Sequence, residues 1–357
     1  MKSNVRIGLI TIHHTTNFGS ALQTYALYTA LKEIASGVEI IDYRCRAVED
    51  RELLRWTVKD PRSIYRFLRY GGSFREKSRV FSEFLNSYAA VSRVYGRGSI
   101  GQANRDYDIF LAGSDIIWGL NVTGNDLAYF LDFVEPGKKK IAFASSAGIR
   151  WPQSWDCRIG ALLGSFQHIG VRETALVQWV REASGREADV VCDPTMLWDP
   201  LHWSRMAGDG RVISERYAVI YFCDPQEKIL SDAARYARER GISVYYINYG
   251  RPIPGIHSIK PLHIREFLNL IMNADCVFSA SFHGVLFALY FHRPFFYYNR
   301  ANFSRMESLA LWLGLEDRNG EREGAGMGPE LDYGRIDGLI GSRRADSWEK
   351  LKAYIDR

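Results

Sequence analysis

The chain opens on a strand–loop–helix–strand pattern, and no other feature restricts its fold as much. Val5–Ile12 is a short, nearly continuous apolar run, as expected of a strand covered on both faces in a parallel sheet. His13–Ser20 is a polar loop that holds Asn17 and Gly19. Ala21, Leu22, Tyr25, Ala26, Leu27 and Leu31 then recur at helical spacing, Gly37 is expected to end that helix, and Val38–Tyr43 reads as the next strand. This is a βαβ unit, which predicts an α/β fold with a doubly wound parallel sheet and ligands at the carboxyl ends of its strands. The loop has no GxGxxG, so the dinucleotide fingerprint is absent.

The alternation continues. Tyr107–Ala112, Lys140–Ala144, His168–Val171 and Asp189–Val191 read as strands, each followed by a polar or small-residue turn, and a helix covers Leu176–Trp179. A second series starts at Tyr217–Phe222 and runs through a helix at Gln226–Arg240 and a strand at Ser243–Ile247. It goes on through a helix at Ile264–Met272, a strand at Cys276–Ser279, a helix at Ser281–Phe291, a strand at Phe295–Tyr298 and a helix at Arg305–Leu313. Asp199–Arg216, rich in Gly, Asp and Arg, is the linker candidate. The expected architecture is two Rossmann-like domains facing a cleft. Residues 1–198 form the first, with a basic helical insert at 44–88. Residues 199–345 form the second, and a helix at 346–357 packs back on the first. A length of 357 residues suits two domains.

Composition narrows the function classes. The chain is 46% hydrophobic and 24% charged, which argues against disorder or a fibrous chain. Its five cysteines (Cys45, Cys157, Cys192, Cys223 and Cys276) are odd in number and none pair at CxxC spacing, so neither a disulfide framework nor a zinc site is expected. Cys192 and Cys276 stand in apolar strand contexts and are expected to be buried thiols. The apolar run near the N-terminus is too short for a signal peptide and no run is long enough to span a membrane, so a cytoplasmic location is expected. A formal net charge of +5 is too diluted to indicate nucleic acid. The aromatic fraction of 13% suits a sugar-handling protein, in which Trp118, Trp151, Trp155 or Trp198 could stack on a pyranose, although core packing is the plainer role for each.

The stretch Arg44–Arg79 is locally basic, with eleven Lys/Arg against five Asp/Glu. Ile64, Phe67 and Leu68 fall on one helical face and Arg62, Arg66 and Arg69 around the other. The plain expectation is a solvated helical pair packed on the sheet; the sharper one is a peripheral contact with anionic lipid or a diphosphate-bearing acceptor. Trp56, Tyr65, Phe67 and Phe74 are interleaved there, but no nucleic-acid-binding motif accompanies them, so nucleic acid is not an expected partner.

Six strings occur in one order: TIHHTTNFGSALQTYAL near the start, LAGSDIIW at 111–118, YFLDFV at 129–134, VRE at 171–173, CDPTMLW at 192–198 and SFHGVLFALYFHRPF at 281–295. In that order they resemble the polysaccharide pyruvyl transferase family, over roughly residues 5–315. The resemblance implies a GT-B-like two-domain fold. It also implies transfer of a pyruvyl group from phosphoenolpyruvate to a sugar of a cell-surface polysaccharide, often lipid-linked, with a cyclic ketal formed and phosphate released. The partners it implies are phosphoenolpyruvate as donor and a saccharide acceptor; no cofactor and no metal are expected.

Such a donor carries a carboxylate and a phosphate, so its site needs cations and helix N-terminal amides, together with an acid for the methylene carbon. His283, in Ser281–Phe282–His283–Gly284, falls in the first turn of a helix at a strand's carboxyl end, which suits a phosphate contact or general acid/base work. Ser281 belongs to that turn and Gly284 allows close backbone approach, while Ala280 stands where the family often carries Asp. The resemblance makes Arg172 a donor contact and Arg305 another, since Arg305 follows Ser304 as in the family's Ser-Arg element, with Arg300 as the second choice. Ser114 and Asp115 follow a strand; Asp115 is the candidate for activating an acceptor hydroxyl, and a helix cap is the plain alternative. Asn17, Gly19 and Gln23 in the first loop are candidates for the acceptor or its phosphate, and one of His13 and His14, here His14, faces the ligand. Asp193–Pro194 reads equally well as a boundary turn. Two other functions remain open at this point: a glycosyltransferase using a nucleotide sugar on the same fold, and a non-catalytic sugar-binding subunit of polysaccharide assembly.

Overall fold

The computed structural model describes residues 3–52, 61–222, 227–299, 304–322 and 330–356. The chain divides into two compact units, Met1–Trp198 with Ile340–Arg357, and Asp199–Leu339.

In the first unit, β1 (Ser3–Ile10) leads through α1 (Phe18–Ile34) to β2 (Ala35–Tyr43). The apolar residues that recur along α1 bury against the sheet, and Asn17 caps it by accepting from Ser20 N at 3.2 Å. Gly37 lies inside β2 rather than ending the helix. A Cβ there would come within 3.2 Å of the Val5 carbonyl oxygen, so its small size serves the approach of two strands. α2 (Arg46–Glu52) and the long α3 (Pro61–Tyr88) follow, then β3 (Val91–Tyr95), β4 (Ile109–Asp115), α4 (Leu120–Thr123) and β5 (Lys139–Ser145). The unit continues with α5 (Asp156–Leu163), β6 (His168–Val171), α6 (Thr174–Ser184) and β7 (Asp189–Val190). The seven strands are parallel, in the order β3-β2-β1-β4-β5-β6-β7. Strand order therefore reverses between β1 and β4, which opens a crevice at their carboxyl ends.

Leu68 of α3 departs from the expected apolar face, as it stands largely in solvent. The helix is anchored instead through Phe81 against Phe18 and through the Lys77 ammonium 4.2 Å from the Phe18 ring centre. Trp118 and Trp151 are core residues, with Trp118 stacked on Phe130. Cys192 and Cys276 are buried as expected, and burial pushes the Cys192 thiol up to about 12; Cys223 lies outside the described residues.

In the second unit, α7 (Pro200–Ala207) begins inside the segment expected to be a linker. Asp199 caps it by accepting from His202 N at 2.8 Å, and Pro200 suits its first turn. β8 (Tyr217–Tyr221), α8 (Glu227–Arg240), β9 (Ser243–Ile247), β10 (His257–Ile259), α9 (Ile264–Met272), β11 (Cys276–Ser279), α10 (Phe282–Tyr290), β12 (Phe295–Tyr297) and α11 (Ser304–Leu313) follow. Its parallel sheet runs β10-β9-β8-β11-β12, so here the order reverses between β8 and β11. α12 (Tyr333–Asp356) starts in this unit and ends in the first. There Cys192 N donates to Ser347 Oγ at 2.9 Å and Trp348 Nε1 to the Leu197 carbonyl at 2.9 Å. Among the described residues no helix is long and apolar enough to cross a membrane.

Candidate active site

Each sheet places a different set of side chains at its reversal point. In the first unit, Asp115 closes β4 with φ of 71°, a left-handed conformation that a non-glycine residue adopts at a cost. Its carboxylate is fixed on both sides: Oδ1 accepts from Ile116 N at 2.8 Å, and Oδ2 accepts from the Ser20 hydroxyl of α1. Ser20 has no sequence signal of its own; it is a polar residue in the first turn of a helix. Ser114, one residue earlier, is wholly buried inside β4. Its carbonyl accepts from Thr11 Oγ1 at 3.1 Å, so it supports the loop.

Arg172 follows β6 directly, and its side chain is only 4% exposed. Nη1 donates to Asp193, whose side chain is fully buried, and Nη2 lies 4.0 Å from Asp115 Oδ1. Burial works against the guanidinium charge, but Asp193, Glu173 and Asp115 together overcome it and hold the group protonated. Asp193 is itself pinned by Thr195, through N at 3.0 Å and Oγ1 at 2.7 Å. Arg172 is thus committed to carboxylates within the unit. An anionic ligand that used it would compete with Asp193.

Much of the loop after β1 is hydrogen-bonded within the unit. Thr16 N donates to Glu52 at 3.2 Å, Asn17 N to Thr15 Oγ1 at 2.9 Å, and Ser20 N to the Asn17 cap. Asn17 and the buried Gly19 therefore shape the start of α1. Gln23 is fully buried, with Nε2 donating to Thr11 Oγ1 at 3.2 Å. The two adjacent histidines differ. His13 has Nδ1 3.3 Å from the Thr11 carbonyl and Nε2 3.1 Å from Asp42 Oδ1, so both ring nitrogens are committed. His14 has Nδ1 3.1 Å from Glu49 Oε1 and keeps 18% of its side chain exposed. Arg44 links the two pairs, 2.5 Å from Asp42 and 3.5 Å from Glu49. In the sequence, only the two-residue spacing of Asp42 and Arg44 on one strand face could have pointed to this network.

In the second unit, Ser279 closes β11. Its hydroxyl donates to the Tyr221 carbonyl at 2.7 Å and accepts from Ser281 N at 3.0 Å. Ser281 is the cap residue of α10, and His283 lies in the first turn, 6% exposed. No acidic side chain occupies that turn, so the positive end of the helix dipole is left uncompensated beside the imidazole. Gly284 is needed for packing, since a Cβ would stand 2.3 Å from Ser279 Oγ. Arg305 is in the first turn of α11 and half-buried. Arg300 lies outside the described residues.

A family model for polysaccharide pyruvyl transferases matches residues 17–302, most of the chain and all of the side chains just placed except His13, His14 and Arg305 and the short loop before residue 17. The chain belongs to the polysaccharide pyruvyl transferase family. None of the curated proteins matches it. Among solved structures, a UDP-GlcNAc 2-epimerase from Methanocaldococcus jannaschii is similar with a TM-score of 0.51 and 11% identity, over 95% of this chain and 92% of that one. The same organism's enzyme in complex with UDP-GlcNAc and UDP gives 0.50 and 14%, over 95% and 99%. A putative UDP-N-acetylglucosamine 2-epimerase from Listeria monocytogenes gives 0.50 and 13%, over 98% and 91%. At such identities the likeness is one of fold, and the fold is GT-B-like, as the sequence strings imply.

Proposed function

We propose that this pyruvyl transferase family member takes phosphoenolpyruvate as donor and a sugar diol of a cell-surface polysaccharide, or of its lipid-linked precursor, as acceptor. The products are a cyclic pyruvate ketal and phosphate. The supporting observation is the first turn of α10. It combines His283, a helix N-terminus at a sheet reversal point and no acidic neighbour in the turn, which suits a small dianionic or trianionic ligand.

The chemistry assigns roles to the placed residues. One sugar hydroxyl adds to the central carbon of the donor while the methylene carbon gains a proton. A second hydroxyl then displaces phosphate and closes the ring. Two hydroxyl protons are released; one balances the new methyl group and the other leaves with phosphate. His283 contacts the donor anion with the α10 amides and Arg305. Asp115, held in place by the Ser20 hydroxyl and Ile116 N beside Arg172, takes a hydroxyl proton. Arg172 keeps Asp115 in place and adds positive charge at that edge.

Calorimetric and thermal-shift titrations with phosphoenolpyruvate, run beside UDP-GlcNAc, test the donor. His283→Gln and His283→Ala are the informative variants, because Arg172→Ala would strand buried carboxylates and cost about 3 kcal/mol or more of stability. The expected result is a phosphoenolpyruvate-dependent rise in melting temperature that is lost in His283→Ala and partly kept in His283→Gln, with no response to UDP-GlcNAc. A response to UDP-GlcNAc alone would move the chain to the glycosyltransferase class.

A further inference from the structure

The left-handed turn at Asp115 is gripped by a residue of the neighbouring strand. The Asp115 carbonyl accepts from Ser146 N at 3.1 Å, and the Ser146 carbonyl accepts from Trp118 N at 3.0 Å, so Ser146 holds the Asp115–Trp118 turn at both ends. Ser146 follows β5 and is wholly buried, and its hydroxyl donates to Glu173 Oε1. Glu173 follows Arg172 at the end of β6. We propose that Glu173 is a positioning residue of the acceptor site: it fixes Ser146, Ser146 fixes the Asp115 turn, and the turn aims the Asp115 carboxylate at the sugar hydroxyl. This rests on the ketal-forming reading given above, in which Asp115 takes a hydroxyl proton.

The backbone around Ser146 is irregular in a way that needs holding. β4 and β5 pair with Asp115 opposite Ser145, and each carries a left-handed residue at or next to its last position, Asp115 with φ of 71° and Ala144 with φ of 57°. The pairing of β5 with β6 also shifts register between Ala142 and Ser145. Non-glycine residues persist in that conformation only where their surroundings fix them, and the Ser146 contacts do so here.

Glu173 has no other evident duty. It is 2% exposed, and among the described residues its one side-chain hydrogen bond is to Ser146, while Oε2 is buried without a partner. It stands at the cap position of α6 but makes no side-chain hydrogen bond to the helix amides. Helix capping therefore does not account for its burial, which costs stability when a carboxylate keeps a single hydrogen bond. Glu173 does act on both charged partners of the site. Through Ser146 it reaches the Asp115 turn, and its charge, with those of Asp193 and Asp115, helps to keep Arg172 protonated. Arg172 Nη2 in turn lies 4.0 Å from Asp115 Oδ1, and Arg172 N donates to the Ser145 carbonyl at 3.2 Å. The ends of β5 and β6 are thus joined by backbone at Ser145 and by side chain at Ser146.

Phosphate release from phosphoenolpyruvate, with the polysaccharide precursor fraction of the source cells as acceptor, tests these contacts in a double-mutant cycle. Every variant is assayed below its melting transition. Ser146→Ala removes the donor and Glu173→Ala the acceptor. Each should slow release by about 10–100-fold, while the phosphoenolpyruvate thermal shift stays at the wild-type level. Glu173→Gln keeps an oxygen that can accept from Ser146 and should recover part of the loss. If Ser146→Ala does not fold, Ser146→Cys keeps the volume with a weaker donor and should be slowed in the same direction. The deciding readout is the Asp115→Asn background. There Ser146→Ala should slow release no further, because the base that it positions is already gone. Equal slowing in both backgrounds would mean that Ser146 and Glu173 support only the fold, and it would overturn the proposal, as would a wild-type rate in Ser146→Ala. Failure of the ketal-forming reading looks different and removes the proposal with it: the wild type then releases no phosphate, or Asp115→Asn releases it at the wild-type rate.

Discussion

At the residue scale, Asp42 shows how a site network doubles as a stability element. Burial alone would raise its carboxyl pKa, but hydrogen bonds from His13 and Arg44, and their charges, pull it down to about 2 from an unperturbed 3.8. A folded-state value below the unfolded one means that the stabilisation is fully present above about pH 4 and disappears as pH falls toward 2, with a size of about 2 kcal/mol. Asp42→Asn is therefore expected to be less stable at pH 7 and to show a flatter acid limb between about pH 4 and 2 in urea melts. An acid limb identical to that of the wild type would contradict the pairing. Asp115, Arg172 and His283 were legible in the sequence because each follows an apolar strand run and sits in a string that resembles the family. Their partners were not. Ser20 meets Asp115 across 95 positions and Thr15 meets Glu52 across 37, and those distances are closed only by the strand order of the sheet. The commitment of Arg172 to Asp193 was hidden for the same reason: the sequence shows an arginine at a strand end but not how deeply it is buried.

At the element scale, strands with an apolar run announce themselves and half-solvated ones do not. β4 and β8 are buried throughout and β1 in its carboxyl half, and all three were readable as apolar runs, whereas β3 leaves Val94 in solvent and β10 has only three residues. These two edge strands were not expected from the sequence, because a half-solvated strand lacks a continuous apolar run; the other two edges, β7 and β12, were. Helix contacts can be just as demanding as strand pairing. α5 crosses α6 at Gly160, where a Cβ would come within 1.9 Å of the Ala183 carbonyl oxygen. That neighbour is backbone and cannot rotate away. Gly160→Ala should cost about 2–3 kcal/mol by forcing the two helices apart, and a thermal melt of the variant checks it. A melting temperature within a degree or so of the wild type would mean that the helices shift more easily than their packing suggests. Gly284 is crowded by the Ser279 and Tyr221 side chains, so its place beside His283 has a packing reason that requires no ligand.

At the scale of the whole molecule, the chain repeats one solution twice. Both units are parallel sheets whose strand order reverses once, between β1 and β4 in the first and between β8 and β11 in the second. Each reversal point receives a different chemistry. The first gathers carboxylates, two arginines and two histidines. The second offers a helix N-terminus with a histidine and no carboxylate in its first turn, which suits holding an anion. A shared fold supplies neither kind of surface by itself. The most direct measurement follows phosphoenolpyruvate labelled with carbon-13 at its central carbon, incubated with the protein and the polysaccharide precursor fraction of the source cells. The account predicts that the label passes from the enol carbon of the donor to a quaternary ketal carbon attached to saccharide, with phosphate released in equal amount. Label that stays in phosphoenolpyruvate while a nucleotide sugar added to the same mixture is consumed would contradict it.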